Sequence, residues 1–275
     1  MRVAVVGHVE WIELALVDRM PNAGEIVHTR GTWQEPAGGG AVAAVQLARL
    51  AGECLLITAL GDDELGRRAK RGLEDLGVTV EAAWRPEPQR RAFVHVDARA
   101  ERTITVIGER MGPLATDDLP WGELEGADGV YLTAGDAEAV RRARGARTLV
   151  ATARAMTALS VAGVKLDVLV ASARDAGERY RPGDLEPPPR LVARTNGAEG
   201  GSLETAAGEL IRWEAAPLPG PAVDTYGAGD CFAAGLTYGL ADRRPAADAL
   251  ALGARCGAEC VTGRGPYRRQ LTDPD

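Results

Sequence analysis

The stretch that decides the fold is AVDTYGAGDCFAAG, residues 222–235, in which Gly227, Ala228 and Gly229 precede an apolar, alanine-rich run. This order predicts a tight loop that leads into the start of a helix at about Cys231. The first N–H groups of a helix have no partner within it, and the helix dipole is positive at this end. We therefore expect the loop to bind an anion, which the two glycines allow to approach closely because they have no Cβ.

Asp230 stands at the mouth of the same helix, where its carboxylate would repel a bound anion. One explanation is catalytic: Asp230 accepts a proton from an attacking hydroxyl group, as a general base does. The other explanation is structural, because aspartate is common at helix N-termini and Gly-Ala-Gly is an ordinary turn. Short motifs of this kind recur by chance, so these residues alone leave both explanations open.

A longer pattern carries a family resemblance. The sequence DTYGAGD, residues 224–230, followed by a helix of small residues, resembles the C-terminal signature of the ribokinase-like (PfkB) carbohydrate kinases. The resemblance implies that Asp224 and Thr225 shape the loop at the nucleotide site. It also implies that the backbone of residues 227–229 forms an anion hole for the transferring phosphate and that Asp230 is the catalytic base.

A second glycine motif lies near the N-terminus, where Gly38, Gly39 and Gly40 precede a helical pattern over residues 41–51. Three glycines before a helix suit close approach by a ligand with hydroxyl or phosphate groups, and a flexible linker is equally compatible with them. Together with GDDELG at residues 61–66, this segment is similar to the N-terminal signature of the same kinases. Two signatures in the expected order extend the resemblance over nearly the whole chain.

Several positions depart from the family pattern. Where the family carries polar sugar contacts, this chain has Glu10, Ile12 and, early in the first helix, Val42 and Ala43. A polar contact is worth about 0.5–1.5 kcal/mol net, so the loss of several indicates a substrate other than ribose or an ordinary hexose.

Glu10, Trp11 and Glu13 are candidates for replacement contacts with the substrate. The carboxylates could bind hydroxyl groups or an amine, and the indole could lie against a ring face. In the alternative interpretation Trp11 belongs to the core and the glutamates to the surface.

Short apolar strands recur between helical or polar stretches, at residues 2–7, 130–132, 148–150, 168–170 and 191–193. This alternation predicts βαβ units and a mostly parallel sheet. The first strand is not followed by Gly-x-Gly-x-x-Gly, and the chain has no Gly-x-x-x-x-Gly-Lys-Ser/Thr motif, which argues against a dinucleotide-binding fold and a P-loop. We expect one three-layer α/β/α, ribokinase-like domain over residues 1–275.

Two alternating segments predict strand pairs that leave the main sheet, at about residues 9–35 and 88–108, with the second strand of the first pair beginning at Ile26. The resemblance implies that they form a small β lid over the sugar and that the protein dimerises through it. A lid excludes water from phosphoryl transfer. His95 in the second pair could reach the substrate, or it could be structural.

The family resemblance also suggests sites for ATP and Mg²⁺. Ser172 and Asp175 match a family motif associated with magnesium and its waters, and Glu178 is a second candidate. Mg²⁺ retains several waters, so a short carboxylate could act through them, although a capping serine and a first-turn acid explain these residues equally well. The turn RTNGAEGG, residues 194–201, resembles the nucleotide-binding turn of the family. The sequence does not decide whether a monovalent cation is also required.

Thr195, Gly197 and Gly200 of this turn are the residues expected to lie against the phosphates or ribose of ATP. The expected partner of the protein is therefore a small molecule.

Composition narrows the function classes. The 275 residues are 45% hydrophobic and carry a net charge of −7 with no basic stripe, which argues against a nucleic-acid surface. No apolar run approaches the roughly 18 residues of a membrane span, and no basic-then-apolar leader opens the chain, so we expect a cytoplasmic protein. Its four cysteines form neither a disulfide framework nor a Cys-x-x-Cys zinc motif.

These observations lead to one hypothesis and two alternatives. The hypothesis is an ATP-dependent kinase that phosphorylates a primary alcohol of a sugar or sugar-like substrate. The alternatives are a nucleoside kinase of the same family and a non-catalytic sensor that binds a nucleotide or sugar. ADP release in the presence of sugars, polyols and nucleosides would distinguish the three.

Overall fold

The structure is a computed structural model that describes residues 1–274. Its strands are, in chain order, β1 (Val3–Val6), β2 (Glu10–Leu16), β3 (Gly31–Ala37), β4 (Cys54–Gly61), β5 (Val78–Arg85), β6 (Arg91–Val96), β7 (Arg102–Ile107), β8 (Gly129–Leu132), β9 (Leu149–Thr152), β10 (Val168–Ser172), β11 (Leu191–Thr195), β12 (Gly201–Thr205) and β13 (Leu210–Trp213).

Nine of these strands form one large sheet in the order β13-β12-β11-β10-β9-β8-β1-β4-β5. Every pair from β11 to β5 is parallel, and only the β11–β12 and β12–β13 pairs of this sheet are antiparallel. Parallel strands are buried on both faces, which explains apolar runs such as VAVV in β1 and LVAT in β9. The predicted mostly parallel central sheet is confirmed.

Helices cover both faces of this sheet. They are α1 (Gly39–Ala51), α2 (Glu64–Glu74), α3 (Ala137–Ala143), α4 (Met156–Ala162), α5 (Ala228–Ala241) and α6 (Ala246–Val261). Along β1, Val3 and Val5 belong to the core cluster that contains α1, α2, α5 and α6, whereas Ala4 and Val6 belong to the cluster that contains α3 and α4. Neighbouring strand residues point to opposite faces, so the two clusters are the two sides of the sheet. The three-layer α/β/α architecture is therefore confirmed.

The other four strands form a small sheet in the order β3-β2-β6-β7, which we call the lid sheet. Strands β2 and β3 pair antiparallel, as do β6 and β7, and the two pairs join through parallel strands β2 and β6. The expectation that a strand begins at Ile26 is wrong. Ile26 is 90% exposed and lies in a loop that ends before Gly31, where β3 begins. Ion pairs between Arg19 and Glu25 and between Arg30 and Asp18 hold this loop.

The carboxyl ends of β1 and β8 lie at the edge of the large sheet where a ligand cleft is expected, and we call this region the cleft. These neighbouring strands lead to opposite sides of the sheet, because the chain continues from β1 to β4 on one side and from β8 to β9 on the other. Open parallel sheets bind ligands where the order reverses in this way. His8 and Thr133 lie directly beyond the two strands, and the His8 N–H donates to Thr133 Oγ1 at 3.3 Å.

Within residues 1–274, none of the helices combines the length and the apolar character needed to cross a bilayer.

The packing of α1 on the sheet is tested by Leu47→Ala. Leu47 is completely buried in the core cluster on that side, so the cavity should lower the free energy of unfolding by about 2–5 kcal/mol. Urea denaturation measures this change. Val161→Ala on α4 is the control because Val161 is 64% exposed, and it should change stability by less than about 0.5 kcal/mol. Equal effects of the two substitutions would contradict the assignment of Leu47 to the core.

Candidate active site

Asp224 fixes the shape of the glycine loop before α5. Its Oδ1 accepts a hydrogen bond from the Tyr226 N–H at 2.8 Å, and its Oδ2 accepts one from the Gly265 N–H at 3.1 Å. Burial raises the pKa of Asp224, and these two N–H groups oppose the rise. The side chain is completely buried, so it braces the loop against the C-terminal segment and does not face the cleft.

The loop leaves backbone N–H groups free at the N-terminus of α5. Gly227 precedes the helix with a φ of +81°, and a Cβ there would lie 2.9 Å from Pro266 Cβ. Within residues 1–274, the N–H groups of Gly227, Gly229 and Asp230 donate to no protein acceptor. No atom lies within 4 Å of the position of a Cβ on Gly229. The arrangement therefore offers both donors and open space to an anion.

The Asp230 carboxylate is recessed in the cleft but partly accessible to solvent. It has no hydrogen-bond or ion-pair partner in the described part of the chain. Its pKa is raised to about 6, first by burial and then by the Glu178 carboxylate, while Arg102 and Arg154 oppose the rise. A carboxyl group with this pKa is ionised at neutral pH and can still take up a proton.

The N-terminus of α1 meets this carboxylate. A Cβ placed on Gly39 would lie 2.8 Å from Asp230 Oδ1 and 3.4 Å from His8 Cε1, so only glycine fits there without a shift. The neighbouring Gly40 N–H donates to the His8 carbonyl at 3.2 Å, and Gly38 has a φ of +90°. The glycine triplet and the glycine loop thus lie side by side, although they are far apart in the sequence.

His8 is a site residue that the sequence analysis missed. Its Nδ1 lies 3.0 Å from Arg110 Nη2 and 3.3 Å from Thr133 Oγ1. Burial lowers the pKa of His8 well below 6.5, and the charges of Arg110, Arg90 and Arg154 lower it further. The ring is therefore neutral. On the other side of the ring, His8 Nε2 accepts from the Gly39 N–H at 3.4 Å and lies 3.6 Å from Glu10 Oε1.

Of the three proposed replacement contacts, the structure brings only Glu10 to the cleft. Glu10 Oε1 accepts from Arg90 Nε at 2.7 Å. Trp11 and Glu13 lie on the opposite face of β2, since strand residues alternate. The Trp11 ring is buried under the Arg68 guanidinium at 4.4 Å, and Glu13 pairs with Arg91 at 3.7 Å. This placement favours the core and surface interpretation of Trp11 and Glu13.

The positions that depart from the family pattern are apolar in their surroundings as well. Ile12, Val42 and Ala43 are completely buried in the core. Val42 packs under the glycine loop, with its Cγ1 3.0 Å from the position of a Cβ on Gly227. These three side chains have no polar group with which to bind a substrate.

The proposed magnesium residues are engaged by an arginine. Arg154 Nε donates to Glu178 Oε1 at 2.8 Å, and its Nη2 pairs with Asp175 Oδ2. Ser172 Oγ accepts from the Arg174 N–H at 3.2 Å. Residues 1–274 contain no cluster of three or more histidine, cysteine or acidic side chains that could hold a metal ion. These residues therefore fit a magnesium ion only through its waters, not as a ready set of direct ligands.

A turn follows β11 in the segment that we expect to bind the nucleotide. The Asn196 N–H donates to the Gly200 carbonyl at 2.8 Å, which closes a turn around Gly197, and Thr195 Oγ1 donates to the Ala171 carbonyl at 3.4 Å. A cavity of about 230 Å³ lies beside the turn. It is lined by Ala173, Arg194, Asn196, Glu199, Gly201, Ser202 and Arg212. The glycine loop does not contribute to this cavity, so the cavity alone does not define the reacting centre.

The lid sheet touches the glycine loop. Arg102 Nη1, at the start of β7, donates to the Thr225 carbonyl at 2.9 Å and to Thr225 Oγ1 at 3.1 Å. Thr225 Oγ1 in turn donates to the Ala100 carbonyl at 3.2 Å. His95 lies within the lid sheet, edge-on against Phe93 at 4.8 Å. Thr225 is therefore a contact between loop and lid sheet, and Arg102 is a second residue that the sequence analysis missed.

Comparison with known proteins shows the family of the chain. The family described as pfkB family carbohydrate kinase matches residues 1–183 and 186–272. The chain therefore belongs to the pfkB family of carbohydrate kinases, and it is a phosphotransferase that acts on an alcohol group. The comparisons define its class as a sugar or nucleoside kinase.

Individual relatives support the same class. An ATP-dependent ribose-1-phosphate kinase of Halopiger xanaduensis is 31% identical, over 94% of this chain and 91% of the relative. An aminoimidazole riboside kinase of Salmonella typhimurium is 29% identical, over 86% of each. The crystal structure of a ribokinase from Thermotoga maritima has a TM-score of 0.77 at 20% identity, covering 99% of this chain and 97% of that one. The last similarity shows the ribokinase fold.

The raised pKa of Asp230 predicts a stability effect with a defined sign. A folded-state pKa of about 6 against the ordinary 3.8 means that the fold disfavours the carboxylate. This penalty grows as pH rises from about 4 to 6 and stays constant above. Asp230→Asn should therefore raise the free energy of unfolding by about 1–2 kcal/mol at pH 8, after allowance for solvent access, and by less at pH 5.

Urea denaturation at the two pH values measures this effect. Asp248→Asn, an exposed acid in the first turn of α6, is the matched control and should show no such gain. A loss of stability in Asp230→Asn at pH 8 would contradict the interpretation.

Proposed function

We propose that this protein transfers the γ-phosphoryl group of ATP to a primary alcohol of a sugar or sugar-like substrate, with Asp230 as general base. The observation that carries the proposal is the unpaired, accessible Asp230 carboxylate beside the free N–H groups of Gly227, Gly229 and Asp230. A structural cap would be paired with the helix start, whereas a base must be free to meet a hydroxyl group.

In this mechanism the alcohol oxygen attacks the γ-phosphorus while the bond from phosphorus to the β,γ-bridging oxygen breaks, and ADP leaves. The proton of the hydroxyl group passes to Asp230. The free N–H groups of Gly227, Gly229 and Asp230 stabilise negative charge on the transferring group, while the Ala228 N–H donates to the Thr225 carbonyl at 3.4 Å and holds the loop at the start of α5. Orientation can supply about 7–11 kcal/mol and a positioned base about 10²–10⁴-fold, so positioning contributes more.

Magnesium is part of the proposal. A bound Mg²⁺ would neutralise charge on the ATP phosphates. Arg154 already pairs with Asp175 and Glu178, so these carboxylates would contact the ion through its waters and not directly. Ser172 would lie beside them. Thr195, Gly197 and Gly200 would support the nucleotide at the neighbouring turn.

We further propose that residues 1–275 form one domain with the lid sheet as a subdomain over the acceptor. The contacts of Arg102 and Ala100 with Thr225 support this role, since they bring the lid sheet onto the glycine loop. A lid in this position excludes water, which would otherwise compete as a nucleophile. Use of ATP and the four unpaired, buried cysteines support a cytoplasmic location.

The proposal is tested by Asp230→Asn. The amide cannot accept the proton, so kcat should fall by about 10²–10⁴-fold while binding of ATP is retained. The assay is ADP release with a panel of sugars, nucleosides and sugar phosphates, the last included because of the name of the Halopiger relative. Asp248→Asn should keep full turnover. Turnover of Asp230→Asn within tenfold of the unmodified protein would remove Asp230 from the role of base.

The pH profile is a second measurement of the same assignment. Because Asp230 must be ionised to act as a base, kcat/KM should rise with pH through an apparent pKa of about 6 and level off above it. If no acceptor stimulates ADP release, the sensor alternative is favoured. If only nucleosides do, the nucleoside kinase alternative is favoured.

We also propose that two copies associate through the free edge of the lid sheet. Strand β7 forms this edge, and all six of its residues are exposed. Ile104, Val106 and Ile107 are 41–45% exposed, and an apolar, unpaired edge strand is a template for pairing with a second strand.

Ile104→Glu tests the dimer. The charge should disfavour burial of the edge and shift the protein to the monomer by light scattering at micromolar concentration. Val161→Glu places the same charge at an exposed apolar site on α4 and should leave the mass unchanged. An unmodified protein that is monomeric under these conditions would refute the dimer.

A further inference from the structure

Three arginines approach the cleft beside His8. Arg90 lies just before β6, Arg110 follows β7, and Arg154 follows β9, so distant segments of the chain bring them together. Arg110 Nη2 contacts His8 Nδ1 at 3.0 Å, and Arg110 Nη1 donates to the Arg154 carbonyl at 3.3 Å. All three guanidinium groups act on the pKa of His8, which they lower.

Two of these cations are already neutralised. Arg90 Nε lies 2.7 Å from Glu10 Oε1. Arg154 pairs with both Asp175 and Glu178. Their charges are therefore compensated within the protein.

Arg110 differs from both. No carboxylate within residues 1–274 lies at ion-pair distance from it. Its Nε is buried without a hydrogen-bond partner, and its only side-chain neighbour at hydrogen-bond distance is the neutral ring of His8. Burial lowers the pKa of Arg110, as do the charges of Arg90 and Arg154, while the Glu10 carboxylate, already paired with Arg90, opposes the fall from beyond ion-pair distance; a guanidinium group stays protonated at physiological pH.

A cation without an ion pair of its own in a recessed site is unfavourable unless a ligand supplies the opposite charge. The site of Arg110 is distinct from the free N–H groups at α5, which would face the γ-phosphate. His8 links the two places, because its Nδ1 contacts Arg110 and its Nε2 accepts from the Gly39 N–H at 3.4 Å, beside Asp230. A molecule bound at Asp230 could therefore extend along His8 toward Arg110.

We propose that the phosphoryl acceptor carries a phosphate group of its own, which Arg110 binds while a primary alcohol lies at Asp230. The acceptor class is thus a phosphorylated sugar. This inference rests on the proposed kinase function and names its substrate class. A planar guanidinium binds phosphate through paired hydrogen bonds, and the buried, apolar Ile12 and Val42 offer no contact to neutral hydroxyls.

The experiment compares sugar phosphates that keep a free primary alcohol with their neutral parents. The probes are glucose 1-phosphate, fructose 1-phosphate and ribose 1-phosphate against glucose, fructose and ribose, with ADP release as the assay. The unmodified protein should show a kcat/KM at least tenfold higher for a sugar phosphate than for its parent. Arg110→Gln should remove most of that preference and bring the ratio close to one, mainly through KM, and Arg110→Lys should restore part of it.

Arg71→Gln is the matched control, since Arg71 is an exposed arginine on α2 that pairs with Glu64, and it should leave the preference unchanged. A binding measurement without ATP completes the test. The preferred sugar phosphate at ten times its dissociation constant should raise the melting temperature of the unmodified protein by about 3 °C and that of Arg110→Gln by much less.

The outcomes separate the two levels of the proposal. Preference for a neutral sugar that Arg110→Gln leaves intact would overturn the inference and leave the kinase function standing. A melting shift that inorganic phosphate alone reproduces in full, without phosphorylation of any sugar phosphate, would also overturn it, since Arg110 would then bind free phosphate. If no acceptor stimulates ADP release by the unmodified protein, the kinase function is refuted. The melting shift with sugar phosphate, compared between the unmodified protein and Arg110→Gln, would still decide the role of Arg110.

Discussion

The site depends on the close approach of two helix N-termini to one carboxylate. The start of α1 and the start of α5 meet at Asp230, and the absence of a side chain on Gly39 makes the contact possible. Both helix ends carry positive partial charge, which favours an ionised group there, while burial and Glu178 act in the opposite sense. The balance leaves a carboxylate that is charged at neutral pH without being fixed by a partner.

Much of this arrangement follows from short-range sequence patterns. The apolar strands predict the parallel sheet, and the loop at 224–230 predicts a helix start, which the structure places at Ala228. Both depend on residues that are neighbours in the chain, so a single sequence contains the necessary information. The parallel joining of β2 to β6 is different, because alternation indicates a strand without naming its partner.

The charged lining of the cleft could not be predicted in the same way. His8, Arg90, Arg110 and Arg154 come from four separate segments, and arginine in a sequence is usually a surface residue. The one sequence signal that could have identified them is their position close to the ends of predicted strands. For Trp11 the difficulty was of another kind, since the pattern of β2 does not show which face is turned to the cleft.

Arg154 connects parts of the site that would otherwise be described separately. Its guanidinium group pairs with Asp175 and Glu178, and its charge also lowers the pKa of Asp230. The four residues therefore form one thermodynamic unit, in which removing any member changes the electrostatic field felt by the others. Single substitutions among them will not add, and only double-mutant cycles can apportion binding of a metal or nucleotide to one side chain.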